Sequence, residues 1–328
     1  MSRRPSPFRY ARVLVLGANG FIGYWVARAL RAQGAHLTCV VRSTAGAERL
    51  TREQLGTVVV RRDLDELSAL RDWVPALRPS LVFNLAGYGV DRAERDPAAA
   101  QRLNADLVAE LSRVVAGLPR DAWRGARLVH AGSALEYGTT GGTLREDSPC
   151  APTTLYGRSK LAGTQALQEV AARTGVAACV ARLFTVFGPG EHEGRLLPTL
   201  LAAAASGADV PLSAGMQRRD FTYVEEVAEG LLRLAVSDVE PGEVVNLASG
   251  TMSTVRDFAT LAAGVLHIPT SRLAFGAVPT RAEEMTHDAV SIARLRALTG
   301  WAPDDDIVSG VVRTIARRAE GRDPSSPP

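Results

Sequence analysis

The 328-residue sequence is poor in aromatic residues, at 5% of the chain, and holds three cysteines. Cys39, Cys150 and Cys179 lie far apart without C-x-x-C spacing. That excludes a sequence-legible zinc site and a disulfide framework. Free, buried thiols in a reducing cytoplasm are the expectation. No run of about 20 apolar residues occurs, so no helix is expected to span a membrane. The N-terminus Met1-Ser-Arg-Arg-Pro-Ser-Pro lacks the apolar core of a signal peptide. An excess of one charge sign is missing too: 38 Lys and Arg stand against 35 Asp and Glu, a net +3. No basic block reads as a nucleic-acid stripe, so no nucleic-acid partner is expected. Repeats and long linkers are absent, and the Pro- and Ser-rich tail 321–328 is expected to be disordered.

What remains is an ordinary globular composition, 46% hydrophobic and 22% charged. The length suits one large or two closely packed domains. The most informative stretch opens the chain. Val13–Leu16 read as a strand, a turn carries Gly17, Gly20 and Gly23, and a helical pattern follows at once. Gly17 permits a tight turn, Gly20 lets backbone approach a pyrophosphate, and Gly23 lets helix and strand pack closely. The helix N-terminus offers free N–H groups to phosphate. Gly17, Asn19, Gly20, Phe21, Ile22 and Gly23 are therefore the candidate pyrophosphate cradle. The spacing is G-x-x-G-x-x-G, and its position between the first strand and first helix gives it its meaning.

Strand patterns at 37–41, 58–60, 81–85, 127–131 and 177–183 alternate with helical ones near 22–33, 65–73, 97–116 and 156–173. Short apolar strands between helices predict a doubly wound α/β domain with a parallel sheet covered on both faces. Its ligand crevice lies at the carboxyl ends of the strands. After Leu183 the rhythm changes: Phe187-Gly-Pro-Gly190 breaks the pattern, and helices are expected at 196–206, 225–235 and 255–266, with a strand at 244–247. The expected division is a Rossmann-type dinucleotide-binding domain over 10–184, with returning segments near 216–246 and 285–294. The rest of 185–320 forms a smaller α/β substrate lobe.

The end of the second strand bears on the cofactor. NAD binders place an acid there for the ribose hydroxyls, NADP binders an Arg for the 2′-phosphate. This chain has Val41-Arg42-Ser43-Thr44 and no acid before Glu48. Arg42 offers a forked charge and Ser43 a hydroxyl, which favours NADP(H), with NAD(H) as the alternative. Asp63 and Leu64, after the third strand, are candidate adenine contacts.

Tyr156-Gly-Arg-Ser-Lys160 is the second informative stretch. Tyr and Lys four apart share a helix face. Ser133 sits just past the strand 127–131, so all three can meet at the strand ends. A carbonyl that accepts hydride develops negative charge on oxygen and needs a proton donor. Tyr156 serves if nearby Lys160 and an oxidised nicotinamide lower its pKa towards neutrality. Ser133 would fix the same oxygen, and Lys160 would also hold the nicotinamide ribose.

On these stretches, together with Asn84-Leu-Ala-Gly87, Ser133-Ala-Leu-Glu-Tyr-Gly138, Arg182-Leu-Phe-Thr-Val-Phe-Gly-Pro189, Arg219-Asp-Phe-Thr-Tyr-Val224, Asn246 and Gly300-Trp-Ala-Pro303, the chain resembles the extended short-chain dehydrogenase/reductases of the nucleotide-sugar epimerase/dehydratase family. The resemblance implies a catalytic trio of Ser133, Tyr156 and Lys160. It implies that Leu85, Ala86, Gly87 and Asn104 line the cofactor. Arg219 would pair with a substrate diphosphate, Arg281 would be a second phosphate clamp, and Thr185 stands where the family usually has an Asn near that diphosphate. Ala134-Leu135 replace the Asp-Glu pair of the family's 4,6-dehydratases, which disfavours dehydration; Glu136 is one place away. Helices near 97–116 and 156–173 resemble the family's dimer-forming pair, and Leu103, Leu107, Leu111 and Val115 repeat at i+4. A homodimer is the expectation.

The expected function is NADPH-dependent ketoreduction of a nucleotide-linked sugar, at C4 of a 4-keto-6-deoxyhexose. The alternative is a nucleotide-sugar 4-epimerase with bound NAD. A third possibility is a dinucleotide-binding regulator without turnover, against which the intact trio argues.

Overall fold

Within residues 12–16, Val13 and Val15 pack into one apolar cluster while Leu14 and Leu16 pack into another. Successive strand side chains point to opposite faces, so both faces of this segment are buried. The same split recurs in 178–183, where Cys179, Ala181 and Leu183 join the first cluster and Ala178 and Val180 the second. A strand buried on both sides needs helices on both sides. The computed structural model, which describes residues 6–60, 66–90, 94–280 and 284–321, supplies them.

In chain order, β1 (Arg12–Leu16), α1 (Phe21–Ala32), β2 (His36–Val41), α2 (Thr44–Arg52) and β3 (Thr57–Val60) are followed by α3 (Leu70–Leu77), β4 (Leu81–Asn84), α4 (Pro97–Gln101), α5 (Leu107–Gly117) and β5 (Leu128–Ser133). Next come β6 (Thr143–Leu144), α6 (Leu155–Thr174), β7 (Ala178–Leu183), β8 (Thr185–Phe187), α7 (Leu196–Ser206), β9 (Val210–Leu212), β10 (Arg218–Tyr223), α8 (Val224–Val236) and β11 (Glu243–Leu247). The last elements are β12 (Met252–Thr254), α9 (Val255–Val265), β13 (Leu273–Phe275), β14 (Ala289–Val290), α10 (Ala293–Thr299) and α11 (Ile307–Ala319).

Seven strands form a parallel sheet in the order β11-β7-β5-β4-β1-β2-β3. α1 and α8 lie side by side on one face, and α5 and α6 on the other. This is the Rossmann-type doubly wound fold. Strand order reverses between β1 and β4, and the crevice outside their carboxyl ends is the switch point where such sheets take ligands. The C-terminal elements build small sheets, β12-β10-β8 and β13-β9, around a third core. Scarce aromatics gather there: Phe258 meets Phe187 edge-on at 5.1 Å and Phe221 at 4.5 Å.

Three local readings change. The helix expected at 65–73 is a 3₁₀ turn at Leu67–Ala69 running into α3, whose end is set by Pro75 and by Arg78 at φ 48°. β8 and β10 are strands that periodicity does not announce: β8 is three residues long and half-covered, and β10 mixes the polar Arg218, Arg219, Asp220 and Thr222 with its apolar residues. Leu107, Leu111 and Val115 are 0–1% exposed and pack with Leu103 against the sheet. Their repeat is core packing within one subunit, so it gives no argument for a homodimer. No helix among the described residues is long and apolar enough to cross a membrane. Residues 322–328 of the expected tail lie outside the described residues.

Candidate active site

The glycine turn is shaped by backbone crowding. Gly17 has φ 76°, and a Cβ there would stand 2.8 Å from the backbone of Leu85 and Ala86. The turn after β1 therefore touches the loop after β4 directly. A Cβ on Gly23 would lie 2.0 Å from the carbonyl oxygen of Gly17, whereas one on Gly20 would meet only that oxygen, at 3.2 Å. Gly20 thus leaves the outer side of the turn open. It precedes α1 without a side-chain cap. The first N–H groups of α1, from Phe21 and Ile22 onward, are the anion-binding end of that helix. Asn19 lies against α2, where a Cβ on Gly46 would sit 2.4 Å from Asn19 Nδ2. This bare, Cβ-excluding cradle fits the pyrophosphate of a dinucleotide.

Asn104 holds the facing loop. It sits in a π-helical turn, Arg102–Asp106, between α4 and α5. Its Oδ1 accepts from the N–H of Tyr88 at 2.9 Å, and its Nδ2 donates to the Tyr88 carbonyl at 2.8 Å and to Ser159 Oγ at 2.9 Å. Leu85, Ala86 and Gly87 are thereby clamped between Gly17 and Asn104. Asn104 thus touches the loop expected to line the cofactor.

Ser133 ends β5 and caps the next turn, accepting from Leu135 N at 3.2 Å. Tyr156 enters with the first turn of α6, capped by Thr154. The first turn of α6 packs on the turn after Ser133, where a Cβ on Gly157 would stand 2.4 Å from the Leu135 carbonyl oxygen, which sets the Tyr156 phenol beside the Ser133 side chain. Burial pushes that phenol up to about 12, Glu136 adds to the rise, and Ser133 and Arg195 oppose it. In the protein alone the phenol is held above its ordinary range and is not drawn towards neutrality by Lys160. Lys160 shows why. It is 3% exposed, and its ammonium donates to the Ala131 carbonyl at 2.5 Å, with His130 Nε2 at 3.5 Å. A buried ammonium takes the nearest carbonyl. Burial brings it down to about 8, against the pull of Glu136.

Several groups went unread in the sequence. His130 interrupts an apolar strand and pairs in register with Asn84. Both are fully buried, and Asn84 Oδ1, Asn84 Nδ2 and His130 Nδ1 have no protein partner. Burial and the Lys160 charge keep His130 neutral. A polar residue inside an otherwise apolar strand was the available signal. Glu136 is fully buried and ion-pairs with Arg182 at 2.9 Å. Its carboxylate is consumed there, which removes it as a displaced acid or base for dehydration. The loop after β8 crosses to α1, where Trp25 Nε1 donates to the Pro189 carbonyl at 2.9 Å. On that loop, burial pushes Glu191 up to about 8 while Arg195 opposes it. Arg195 donates to the Val90 carbonyl at 3.4 Å.

The outer positions are less closely assembled. Arg42 is exposed, with Glu94 at 4.0 Å, and Ser43 accepts from Gly46 N as the cap of α2. The Ser43 oxygen is therefore engaged by the helix, although its proton remains to be donated. Thr185 begins β8, opposite Phe221 of β10. Arg219 of β10 donates from Nε to Glu284 Oε1 at 2.8 Å, and its Nη2 bonds the same oxygen. The arginine expected to hold a diphosphate is held by a carboxylate in this structure. Asp63, Leu64 and Arg281 lie outside the described residues. No metal-ligating cluster occurs among the described residues.

Sheet order, glycine turn and the Ser133–Tyr156 pair define an NAD(P)-dependent enzyme, an oxidoreductase or epimerase of the extended short-chain dehydrogenase/reductase class. The sequence model of the NAD dependent epimerase/dehydratase family matches residues 13–248, and the chain belongs to that family. It is 31% identical over 303 residues to a dTDP-6-deoxy-L-talose 4-dehydrogenase (NAD(P)(+)) of Kitasatospora kifunensis, covering 89% of this chain and 91% of that one. It is 30% identical over 308 residues to a GDP-6-deoxy-D-mannose reductase of Pseudomonas aeruginosa, covering 89% and 92%. The UDP-glucuronic acid 4-epimerase of Bacillus cereus, solved with UDP-glucuronic acid and NAD, shares the fold with a TM-score of 0.78 at 19% identity, over 94% of this chain and 99% of that one.

Proposed function

We propose that the protein reduces a keto group on a nucleotide-linked sugar, the C4 carbonyl of a 4-keto-6-deoxyhexose, with NADPH. The observation that carries this is the packing of the first turn of α6 on the end of β5, which sets Tyr156, a phenol that burial holds above its ordinary range, beside Ser133 at the switch-point crevice. A bound nicotinamide supplies the hydride. Tyr156 gives its proton to the carbonyl oxygen as negative charge develops there. Ser133 donates to the same oxygen and fixes its position. Lys160 keeps positive charge behind the pair up to about pH 8.

Two similar proteins are named as a dehydrogenase and a reductase of 6-deoxy sugars, which supports net redox at the sugar. Exposed Arg42, at the end of β2, supports NADPH. Arg219 is the proposed diphosphate ligand, once it exchanges Glu284 for phosphate. The reading does not depend on a homodimer, and its proposed setting is the cytoplasm.

A 4-epimerase with NAD is the second reading. It is favoured by Glu94, whose carboxylate stands 4.0 Å from Arg42 and opposes a 2′-phosphate. Freshly purified protein separates the two. Empty protein that oxidises NADPH in the presence of a nucleoside-diphosphate 4-keto-6-deoxyhexose supports the reductase. Protein that carries NAD through dialysis and interconverts C4 epimers without added cofactor supports the epimerase.

A further inference from the structure

Glu136 is fully buried beneath Ser133, and no step above uses it. Its Oε1 accepts the main-chain N–H of Ser133 at 2.8 Å. Its Oε2 accepts from Thr164 Oγ1 at 3.0 Å and from Arg182 Nε at 2.9 Å. With Ser133 accepting from Leu135 N, the Ser133–Glu136 turn is a closed capping box. The missing side chain of Gly132 leaves room for the carboxylate, since a Cβ there would come within 2.8 Å of Oε1. Thr164 lies one helical turn beyond Lys160 on the same face of α6, so the acid that holds Thr164 also faces the ammonium. Arg182 is itself fixed by the Glu146 carbonyl at 3.3 Å and Cys150 Sγ at 3.2 Å, over the ring of Tyr137.

Buried ion pairs are poor stabilisers, because desolvation offsets their attraction and apolar residues of similar volume pack as well. Stability therefore gives little reason for this one. Its placement does. Two charged or titratable groups act on Lys160: His130 from β5, with Nε2 at 3.5 Å, and Glu136 from the turn after β5. His130 is neutral, so Glu136 is the anion of the two.

We propose that Glu136 is the positioning residue of this site: it aims the Ser133 hydroxyl through the Ser133 N–H, and it presents to Lys160 the negative charge that faces it. This rests on the Ser133–Tyr156–Lys160 reading above. It also separates two duties, one set by the length of the side chain and the other by its charge.

The test is the pair Glu136→Asp and Glu136→Gln in the full chain, with Tyr156→Phe as the reference. Each variant is checked first by circular dichroism and by NADPH binding. Glu136→Asp keeps the charge but falls short of the Ser133 N–H. Its kcat should drop about tenfold while KM and the alkaline limb of kcat/KM stay in place. Glu136→Gln keeps the length but loses the charge, so the alkaline limb should move about one pH unit to lower pH. If the Gln variant does not fold, Thr164→Val is read in its place. It loosens the same carboxylate, and kcat should fall about threefold at unchanged KM. Folded variants with wild-type kcat and wild-type pH profile, beside an inactive Tyr156→Phe, overturn the proposal. An active Tyr156→Phe overturns the catalytic reading itself, which keeps the two failures apart.

Discussion

Gly163 of α6 lies flat against the carbonyl oxygen of Asn104, where a Cβ would stand 2.0 Å away. That contact brings two helices together at one point. On one side Asn104 clamps Tyr88, and on the other α6 carries Tyr156 and Lys160. The π-helical turn at Arg102–Asp106 falls at the same place. The loop after β4 and the proposed proton donor are therefore referenced to each other through a missing methyl group.

Gly163→Ala should force the helices apart. Overpacking of this kind costs about 1–3 kcal/mol. A lower melting temperature together with weaker NADPH binding is the expected outcome of calorimetry and titration on the same sample.

Asn104→Ala removes two hydrogen bonds from the Tyr88 backbone and one from Ser159. Leaving those buried groups unpaired costs about 1–3 kcal/mol. The loss should appear as faster hydrogen exchange in 85–89 and a raised NADPH dissociation constant.

Arg219 and Glu284 give a competition experiment. The guanidinium that is proposed to bind a substrate diphosphate is already paired. Glu284→Gln should weaken that pair and tighten binding of free nucleoside diphosphate by about threefold to tenfold, measured by calorimetry. Arg219→Ala should weaken the same binding by about tenfold or more.

Glu191 makes a prediction about pH. Burial raises its folded pKa to about 8, above the unfolded value of 4.5. Between those values the folded chain holds a proton that the unfolded chain has released. Unfolding releases it, so the stability from this group is present below 4.5 and is lost as pH rises through about 8. Glu191→Gln should flatten the fall in melting temperature across that window.

Much of the fold was readable because buried parallel strands are short apolar runs, and 178–183 shows it well. The glycine turn was readable because backbone contact with Leu85 and Ala86 tolerates no side chain at Gly17. The positions of Ser133 at a strand end and of Tyr156 at a helix start were readable because an apolar run stops at one and a Thr cap precedes the other. What failed was direction and partnership. Spacing puts Lys160 on the face of Tyr156 but does not say that its ammonium turns to Ala131. Spacing likewise shows the Leu103–Val115 stripe without saying that it meets the sheet. The partners of Glu136 and Arg219 lie on distant segments, at Arg182 and Glu284, where no local pattern can indicate them.

The proton supplied by Tyr156 is the centre of the account, and removal of one oxygen atom tests it. Tyr156→Phe should bind NADPH as the wild-type chain does while turnover of a nucleoside-diphosphate 4-keto-6-deoxyhexose falls by about 10²–10⁴. Undiminished NADPH oxidation in a folded Tyr156→Phe protein would contradict it.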